Sequence, residues 1–417
     1  VPFSEICFPS PVPPMVATLT VPKTLNSTSG HVVPLNSRQA RALPDSAKWM
    51  AAEDDEMTSV IEKKVVGRTA SCLPPGVVAI STMFVYAIKW TLANTIERYN
   101  ARWVVRGFLE IPGVHYDPLA THAPVASESS LMVLLSLAVR YKLQLKQLDV
   151  KTAFLNSPLD HEVWVRFPAG YEHPSGDAFA LLHKSLYGLK QAASDWYSLQ
   201  HVRLMAFDPE IRRSVADPCF YFKVKGDTYF FLLVHVDDYA CAFSDGEYFE
   251  GWLQHFRGTP GTDEFLDVKL LGNVENLLQM RVIRTDSVIT LDQERQISQL
   301  AADYGVQDSK PVLTPMVVHF DLDKSQDPPQ ATIPFRQLVG SLLWVARHIH
   351  PEIMQPVVYL AQFCTCYTRD HFLAALRVLK YLNTVKDRKL TFRGGRTRGA
   401  GCDKSCLSIF SDSDWAM

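Results

Sequence analysis

The chain has 417 residues, a formal net charge of −2 and a pI of about 6.7. Its length, together with 47% hydrophobic residues, predicts several cores and roughly two to four domains. The balanced charge excludes a globally basic protein, so any contact with nucleic acid must come from local patches. The eight cysteines are scattered, and the sequence reads neither as secreted nor as membrane-spanning, so we expect an intracellular protein.

The N-terminal part of the chain changes character near residue 45. Residues 1–44 are rich in Pro, Ser and Thr and carry few charges, which is typical of a linker. Residues 46–57 place Trp49 and Met50 among acidic residues at helical spacing and predict a short amphipathic helix. Because the chain stops within patterned sequence, we expect it to be a piece of a longer polyprotein.

Two β-prone segments follow and predict a hairpin. Residues 77–90 are β-branched and aromatic, and residues 98–108 form the second strand candidate. The even spacing of Arg98, Arg102 and Arg106 puts these cations on one face of that strand. They form either a ligand-binding face or a merely solvated one.

The next predicted strand carries an acid near its end. Residues 129–141 predict an apolar helix, and residues 143–150 alternate in the manner of a strand that includes Asp149. A carboxylate at a strand end is a good metal ligand, because the sheet fixes its position while its tip reaches solvent and substrate.

The most distinctive stretch is residues 230–243, in which two apolar β-prone runs flank Asp237 and Asp238. This pattern predicts a hairpin with buried arms and an acidic bend. Neighbouring carboxylates ionise together at low cost only where solvent or a cation neutralises them, so the pair indicates a divalent-metal site. The alternative is a solvated turn, in which Asp is common. The upstream carboxylate of Asp149 favours the metal site.

Several longer motifs follow one another in order along the chain. They are LDVKTAFLN (148–156), EVWVRFPAGY (162–171), KSLYGLKQA (184–192) with Trp196, HVDD (235–238), TPM (314–316), FRQLVGSLLW (335–344) and ALRVLKYL (375–382). This set resembles the reverse transcriptases of copia-type LTR retrotransposons, in which Tyr-Val-Asp-Asp usually stands where this chain has HVDD. The resemblance extends from about Trp49 to the C-terminus.

The resemblance implies an α+β fold with the right-hand architecture of polymerases. Under this expectation, residues 1–44 are a linker and residues 45–285 form the fingers and palm. Residues 286–395 form a helical, thumb-like or connection region, and residues 396–417 are the truncated start of an RNase H-like domain. The palm should be a small antiparallel sheet, backed by helices, that carries the three aspartates.

The RNase H expectation depends on the last residues of the chain. The segment IFSDSDWA (409–416) resembles the first strand of that domain, with Asp412 in the position of its first metal-binding aspartate. A four-carboxylate nuclease site cannot be assembled from this remnant. We therefore expect no RNase H activity from these residues alone.

The resemblance also implies the chemistry, which is nucleotide addition with two Mg²⁺ ions, or Mn²⁺ in their place, about 3.5 to 4 Å apart. By resemblance, Asp149 and Asp237 bridge the metals, and Asp238 completes the set near the primer hydroxyl. Phe154 stands where related polymerases place an aromatic gate against the ribose 2′-hydroxyl, although a core aromatic is the alternative. Gln191 would line the nucleotide pocket, and Arg102 would contact the triphosphate.

Some positions depart from the family pattern, and none of them removes a metal ligand. Asn100 stands where the fingers motif has lysine, so we expect weaker nucleotide binding. Gln279, in the segment that resembles the primer grip, replaces a glycine, which would cost a close backbone approach to the primer. His235 replaces the usual tyrosine, and residues 193–195 replace a common Pro-Arg pair. Together these changes indicate a divergent copy.

The predicted function is RNA-directed DNA synthesis from dNTPs on a primed template. The expected partners are an RNA template, a DNA primer–template duplex and the other Pol segments, integrase and RNase H, with no membrane. We expect the protein in the cytoplasm, inside a virus-like particle, or in the nucleus. One alternative is a catalytically inactive element remnant that retains the fold and some nucleic-acid binding. A two-metal nuclease on the same aspartates fits less well, because residues 187–191 and Phe154 serve nucleotide selection.

Overall fold

The computed structural model describes residues 32–90, 95–317, 322 and 332–394, and it is a mixed α+β structure, as predicted. Its strands form three sheets, and most of its C-terminal helices pack in a separate cluster. Within the described ranges, no helix is both long enough and apolar enough to cross a membrane.

Helices and strands are interspersed along the described residues. The helices are α1 (Ser37–Ala42), α2 (Ser46–Glu62), α3 (Glu128–Arg140), α4 (Ala192–Ala206), α5 (Gly246–Arg257), α6 (Glu294–Asp303), α7 (Phe335–His348), α8 (Met354–Ala361) and α9 (Arg369–Thr384). The strands are β1 (Val66–Ala70), β2 (Ile80–Trp90), β3 (Ile96–Val105), β4 (Gln144–Val150), β5 (Pro158–Arg166), β6 (Phe179–Lys184), β7 (Arg212–Arg213), β8 (Phe220–Lys225), β9 (Thr228–His235), β10 (Asp238–Phe243), β11 (Val268–Asn273), β12 (Asn276–Leu277), β13 (Met280–Arg284), β14 (Val288–Asp292) and β15 (Leu390–Arg393).

The first sheet, which we call the N-terminal sheet, has the strand order β1-β6-β5-β2-β3. Its β2 and β3 form the antiparallel hairpin that the sequence predicts. The predicted helix is also present as α2, which packs against the edge strand β3. Trp49 of α2 and Trp103 of β3 are fully buried in the shared core. The hairpin is therefore anchored on one face and leaves its other face to solvent.

The described end of the predicted linker, residues 1–44, contains the short helix α1. The side chain of Asn36 accepts a hydrogen bond from Gln39 N (2.9 Å) and so caps this helix. Ala40 is fully buried, and Arg41 pairs with the buried carboxylate of Glu53 (2.9 Å). These tertiary contacts fold a segment whose composition alone is that of a linker.

The second sheet, called the central sheet below, is antiparallel with the order β11-β4-β10-β9-β8-β7. It contains the predicted hairpin as β9 and β10 and the predicted acid-bearing strand as β4. Helices α4 and α5 pack on one face through the buried side chains of Trp196 and Trp252. Part of the other face is covered by α3, through Leu131 and Leu135. Packing on both faces explains why β9 and β10 are apolar along their length.

The C-terminal region, expected to be helical over residues 286–395, also contains two strands. The helices α6 to α9 form one core cluster, and the helices predicted around residues 335–344 and 375–382 are present as α7 and α9. However, β14 and β15 pair with each other in the third sheet, which has the order β12-β13-β14-β15. The helical cluster is thus inserted between two neighbouring strands. Residues 396–417, including Asp412, lie outside the described residues, so the RNase H-like segment stays a prediction.

Candidate active site

The turn between β9 and β10 holds the predicted pair of aspartates. His235 and Asp238 close this turn, and Val236 and Asp237 form its tip. Val236 has a φ of 60°, a left-handed conformation that is costly for a β-branched residue. The turn is held from two sides, because Trp196 Nε1 donates to Val236 O (2.7 Å) and Val150 N donates to Asp237 O (2.9 Å).

The third aspartate lies on the strand beside this turn. In the pairing of β4 with β10, Asp149 stands directly opposite Asp238, so both side chains emerge on the same face of the central sheet. Residues opposed in this way have Cα atoms roughly 4.5 to 5.5 Å apart. The structure therefore brings the three predicted aspartates together, although their separation in the sequence is long. Their roles stay a prediction.

The three aspartates carry like charges that repel one another. Partial burial, followed by the charge of Asp237, raises the pKa of Asp149, while Lys89 and Lys269 act in the opposite direction. Partial burial also raises the pKa of Asp238, with further contributions from Asp237 and Asp149. Like charges directly opposite each other destabilise a sheet. The fold thus holds a concentration of negative charge that a cation would relieve.

A preformed cage of metal ligands is absent from the described part of the chain, where no group of three or more His, Cys, Asp or Glu side chains is placed to hold an ion. Mg²⁺ does not require such a cage, because it is usually bound through one or two carboxylates, waters and the phosphates of its substrate. The facing pair Asp149 and Asp238, with Asp237 beside it, meets that lower requirement.

Arg102 lies on the exposed face of the β2–β3 hairpin, as predicted. Its guanidinium carbon is 5.3 Å from the centroid of the Tyr187 ring, which is within the range of a cation–π contact. Glu56 of α2 is a nearby acid. This carboxylate accepts a hydrogen bond from Trp103 N (3.0 Å). Burial raises its pKa, although this hydrogen bond and the charge of Arg102 act in the opposite direction.

Phe154 belongs to a 3₁₀ turn, Ala153–Asn156, that follows β4. Its side chain is half-buried and packs against both the core of the N-terminal sheet and the core behind the central sheet. The ring also meets the Tyr187 ring edge-on, with centroids 5.8 Å apart and planes at 67°. Phe154 therefore combines a core contact with a partly open face, and its role as a gate stays a prediction.

Gln191 precedes α4 and is only 4% exposed. Its Nε2 donates to His115 O (3.4 Å), while its Oε1 is buried without a hydrogen-bond partner in the described structure. The preceding Lys190 donates from its backbone N to Glu110 (3.0 Å) and from Nζ to Tyr116 OH (2.9 Å). An amide oxygen left unsatisfied in this way is what a nucleotide or a water could pair with.

Two further residues lie among the predicted ones: Lys89, which the sequence did not single out, and Tyr187, which the sequence placed in the motif of residues 187–191 without a role of its own. Lys89 pairs with Arg98 across the hairpin, faces the same side as Arg102, and acts electrostatically on Asp149. Tyr187 contacts both Arg102 and Phe154. Lys89 is the one charged residue in the predicted strand of residues 77–90, and this could have pointed to it, whereas the motif of residues 187–191 gives no signal for a separate role of Tyr187.

The replacement of glycine by Gln279, in the segment that resembles the primer grip, has a structural consequence. Leu278 and Gln279 form the turn between β12 and β13, with φ values of 49° and 64°. Glycine adopts this left-handed backbone freely, whereas for other residues it costs roughly 1 to 2 kcal/mol. The observed effect of the departure is therefore backbone strain at the turn.

Comparison with known proteins shows the family to which the chain belongs. The family model for reverse transcriptase (RNA-dependent DNA polymerase) matches residues 69–318. This match covers more than half of the chain, and the chain belongs to that family.

The curated relatives are transposon polyproteins. The chain is 30% identical, over 87% of its length, to the retrovirus-related Pol polyprotein from transposon TNT 1-94 of Nicotiana tabacum. It is 29% identical over 90% of its length to that from transposon RE1, and 29% over 82% to that from transposon RE2, both of Arabidopsis thaliana. The matches cover 27%, 24% and 22% of those relatives, about a quarter of their length. The resemblance to copia-type retrotransposon reverse transcriptases is confirmed.

Proposed function

We propose that the protein is an RNA-directed DNA polymerase that adds dNTPs to the 3′-hydroxyl of a primer. The observation that carries the proposal is the register of β4 and β10, which sets Asp149 opposite Asp238 and beside Asp237 in a chain of the reverse transcriptase family. In right-hand terms, the N-terminal sheet serves as fingers, the central sheet as palm, and α6 to α9 as a thumb-like region.

The three aspartates hold Mg²⁺ in this proposal. Asp149 and Asp237 bind the ions, and Asp238 completes the site near the primer hydroxyl. When bound, the metal supplies charge neutralisation for the triphosphate and lowers the pKa of the attacking hydroxyl. The residues fit this role because Asp149 lies on β4 directly opposite Asp238, and the turn that carries Asp237 is held by hydrogen bonds from Trp196 and Val150. That support fixes their positions before substrate arrives.

In this proposal, the exposed face of the β2–β3 hairpin and the neighbouring turns bind the nucleotide. Arg102 binds the triphosphate through charge-assisted hydrogen bonds. Lys89, on the same face, supplies a second cation and offsets the loss of lysine at Asn100. Phe154 faces the sugar and excludes a 2′-hydroxyl, and Gln191 offers its unpaired amide oxygen to the pocket.

The substrates follow from the same proposal. An RNA or DNA template paired with a primer lies across the central sheet, and the remaining Pol segments, integrase and RNase H, act on the product. The names of the relatives state only that they are Pol polyproteins from transposons. The template and the partner segments are therefore part of the proposal.

The decisive experiment is Mg²⁺-dependent primer extension by the parent and by Asp237→Asn. We expect the parent to extend a DNA primer on an RNA template and Asp237→Asn to be inactive, because the amide removes a metal-holding charge at nearly constant volume. Asp227→Asn is the matched control, since Asp227 is exposed at the far end of β9. Equal extension by Asp237→Asn and the parent would refute the metal assignment. A folded parent that binds primer–template without extending it would identify an inactive remnant.

A further inference from the structure

The turn that precedes α4 places one aromatic ring between two parts of the proposed nucleotide site. Tyr187 O accepts a hydrogen bond from Val105 N at the end of β3 (2.7 Å). The next residue, Gly188, has a φ of +91°, and a Cβ at that position would lie 2.1 Å from Val105 O. The backbone of Tyr187 is thus fixed against the strand that carries Arg102, and only glycine permits this approach.

The side chain of Tyr187 contacts two residues with separate tasks. The Arg102 guanidinium carbon is 5.3 Å from its ring centroid. The Phe154 ring also meets the Tyr187 ring edge-on, with centroids 5.8 Å apart, within the usual range for an aromatic pair. Arg102 is assigned to the triphosphate and Phe154 to the sugar. One ring therefore supports groups that would touch opposite ends of the same nucleotide.

The surroundings keep this ring neutral. Burial, followed by the charge of Glu56, raises the pKa of Tyr187, and Asp237 adds to this, while Arg102 opposes it. A neutral phenol keeps the negative ring face that attracts a cation without adding another charge beside the aspartates. The contact with Arg102 is consequently insensitive to pH across the neutral range.

We infer that Tyr187 is a positioning residue for sugar selection, which holds the Phe154 ring upright against the sugar while it aims Arg102 at the triphosphate. The inference rests on the proposed function. Losing the Tyr187 ring frees Phe154 to tilt and Arg102 to swing, so a 2′-hydroxyl becomes easier to accept and a triphosphate harder to hold. Losing only the hydroxyl leaves both ring contacts in place.

The test is steady-state incorporation of a dNTP and of the matching ribonucleotide by the parent, Tyr187→Leu and Tyr187→Phe. From the strength of one cation–π contact and one aromatic pair, we expect Tyr187→Leu to lower the dNTP preference, measured as a ratio of kcat/KM values, by about five- to tenfold. The KM for dNTP should rise while kcat changes little. Tyr187→Phe should retain the parent's preference and KM.

Two controls separate this effect from a loss of packing. Tyr171→Leu removes a tyrosine that is partly buried against the same core but contacts Phe167 rather than the site, and it should leave the sugar preference unchanged. In Tyr187→Leu combined with Phe154→Ala, the losses of preference should not multiply, since both act through one ring. An active parent whose sugar preference survives Tyr187→Leu would overturn the inference alone. A parent without Mg²⁺-dependent extension would overturn the proposed function and the inference with it.

Discussion

Asp149→Asn should make the protein more stable at neutral pH while it abolishes primer extension. The carboxylate of Asp149 is half-buried and faces Asp238 across one strand pair. Its folded-state pKa is raised above its ordinary value of 3.8. A carboxyl group with a raised pKa binds its proton more tightly in the folded state than in the unfolded state. Its ionisation therefore lowers the free energy of unfolding, starting above the ordinary pKa and reaching its full size above the folded-state pKa.

The size of the gain follows from the geometry. Taking the roughly 5 Å spacing of the Cα atoms of opposed residues as the separation of the charges, two unit charges repel by about 1 kcal/mol at the dielectric constant of water and about 3 kcal/mol at an effective value of 20. Because Asp149 is only partly buried and two lysines oppose the repulsion, we take the lower figure. The free energy of unfolding of Asp149→Asn should exceed that of the parent by about 1 kcal/mol at pH 7 in metal-free buffer.

Urea denaturation at several pH values provides the assay. The gain should be full at pH 7 and should disappear as the pH falls below the ordinary carboxyl value of 3.8, because the parent side chain is then also neutral. Added Mg²⁺ should stabilise the parent more than the variant, since an ion bound to the folded state shifts its equilibrium. A variant that is less stable than the parent at pH 7, or whose gain is the same at pH 3, would refute the electrostatic explanation.

Three further predictions test the nucleotide site and the strained turn. Phe154→Ala should admit ribonucleotides. Because the ring is only half-buried, the substitution should lower the free energy of unfolding by about 1 to 2 kcal/mol, less than for a fully buried core phenylalanine. Extension assays and melting curves check both effects, and an unchanged sugar preference would reject the gate. Lys89→Gln should raise the KM for dNTP several-fold. Adding Asn100→Lys to the same chain should restore the KM, because both positions share one face of the hairpin. Nucleotide titrations measure the KM, and a KM that Lys89→Gln leaves unchanged would exclude Lys89 from the site. Gln279→Gly should raise the free energy of unfolding by about 1 kcal/mol in urea titrations, and a loss of stability would show that the turn is not strained.

Local patterns are enough to predict the elements that carry the site. The arms of the β9–β10 hairpin are buried on both faces, so their apolar runs and the acidic bend between them are visible in a short stretch of sequence. The same holds for α3 and for β4. The register that sets Asp149 opposite Asp238 is a long-range property, and only the order of the motifs points to it.

The features that the sequence did not predict depend largely on contacts between distant segments. The short helix α1 forms in Pro-, Ser- and Thr-rich sequence because Ala40 is buried and Arg41 finds Glu53. The strand β15 returns after the whole helical cluster to pair with β14. Both segments are short and alternate in the manner of strands, but nothing local in either one shows that the two pair with each other. The left-handed turn at Val236 is likewise invisible, because valine is the residue that such a turn would least predict.

The proposed site draws its two halves from different sheets, and the place where they meet is set by two glycines. The aspartates belong to the central sheet, whereas Arg102 and Lys89 belong to the N-terminal one. A Cβ at Gly107 would lie 2.1 Å from Gly188 O, and one at Gly188 would lie 2.1 Å from Val105 O. Any side chain there must push the end of the hairpin away from the Tyr187 turn. In the proposed site, the spacing between Arg102 and the aspartates would therefore depend on backbone contact at these glycines, outside the motif that carries the aspartates.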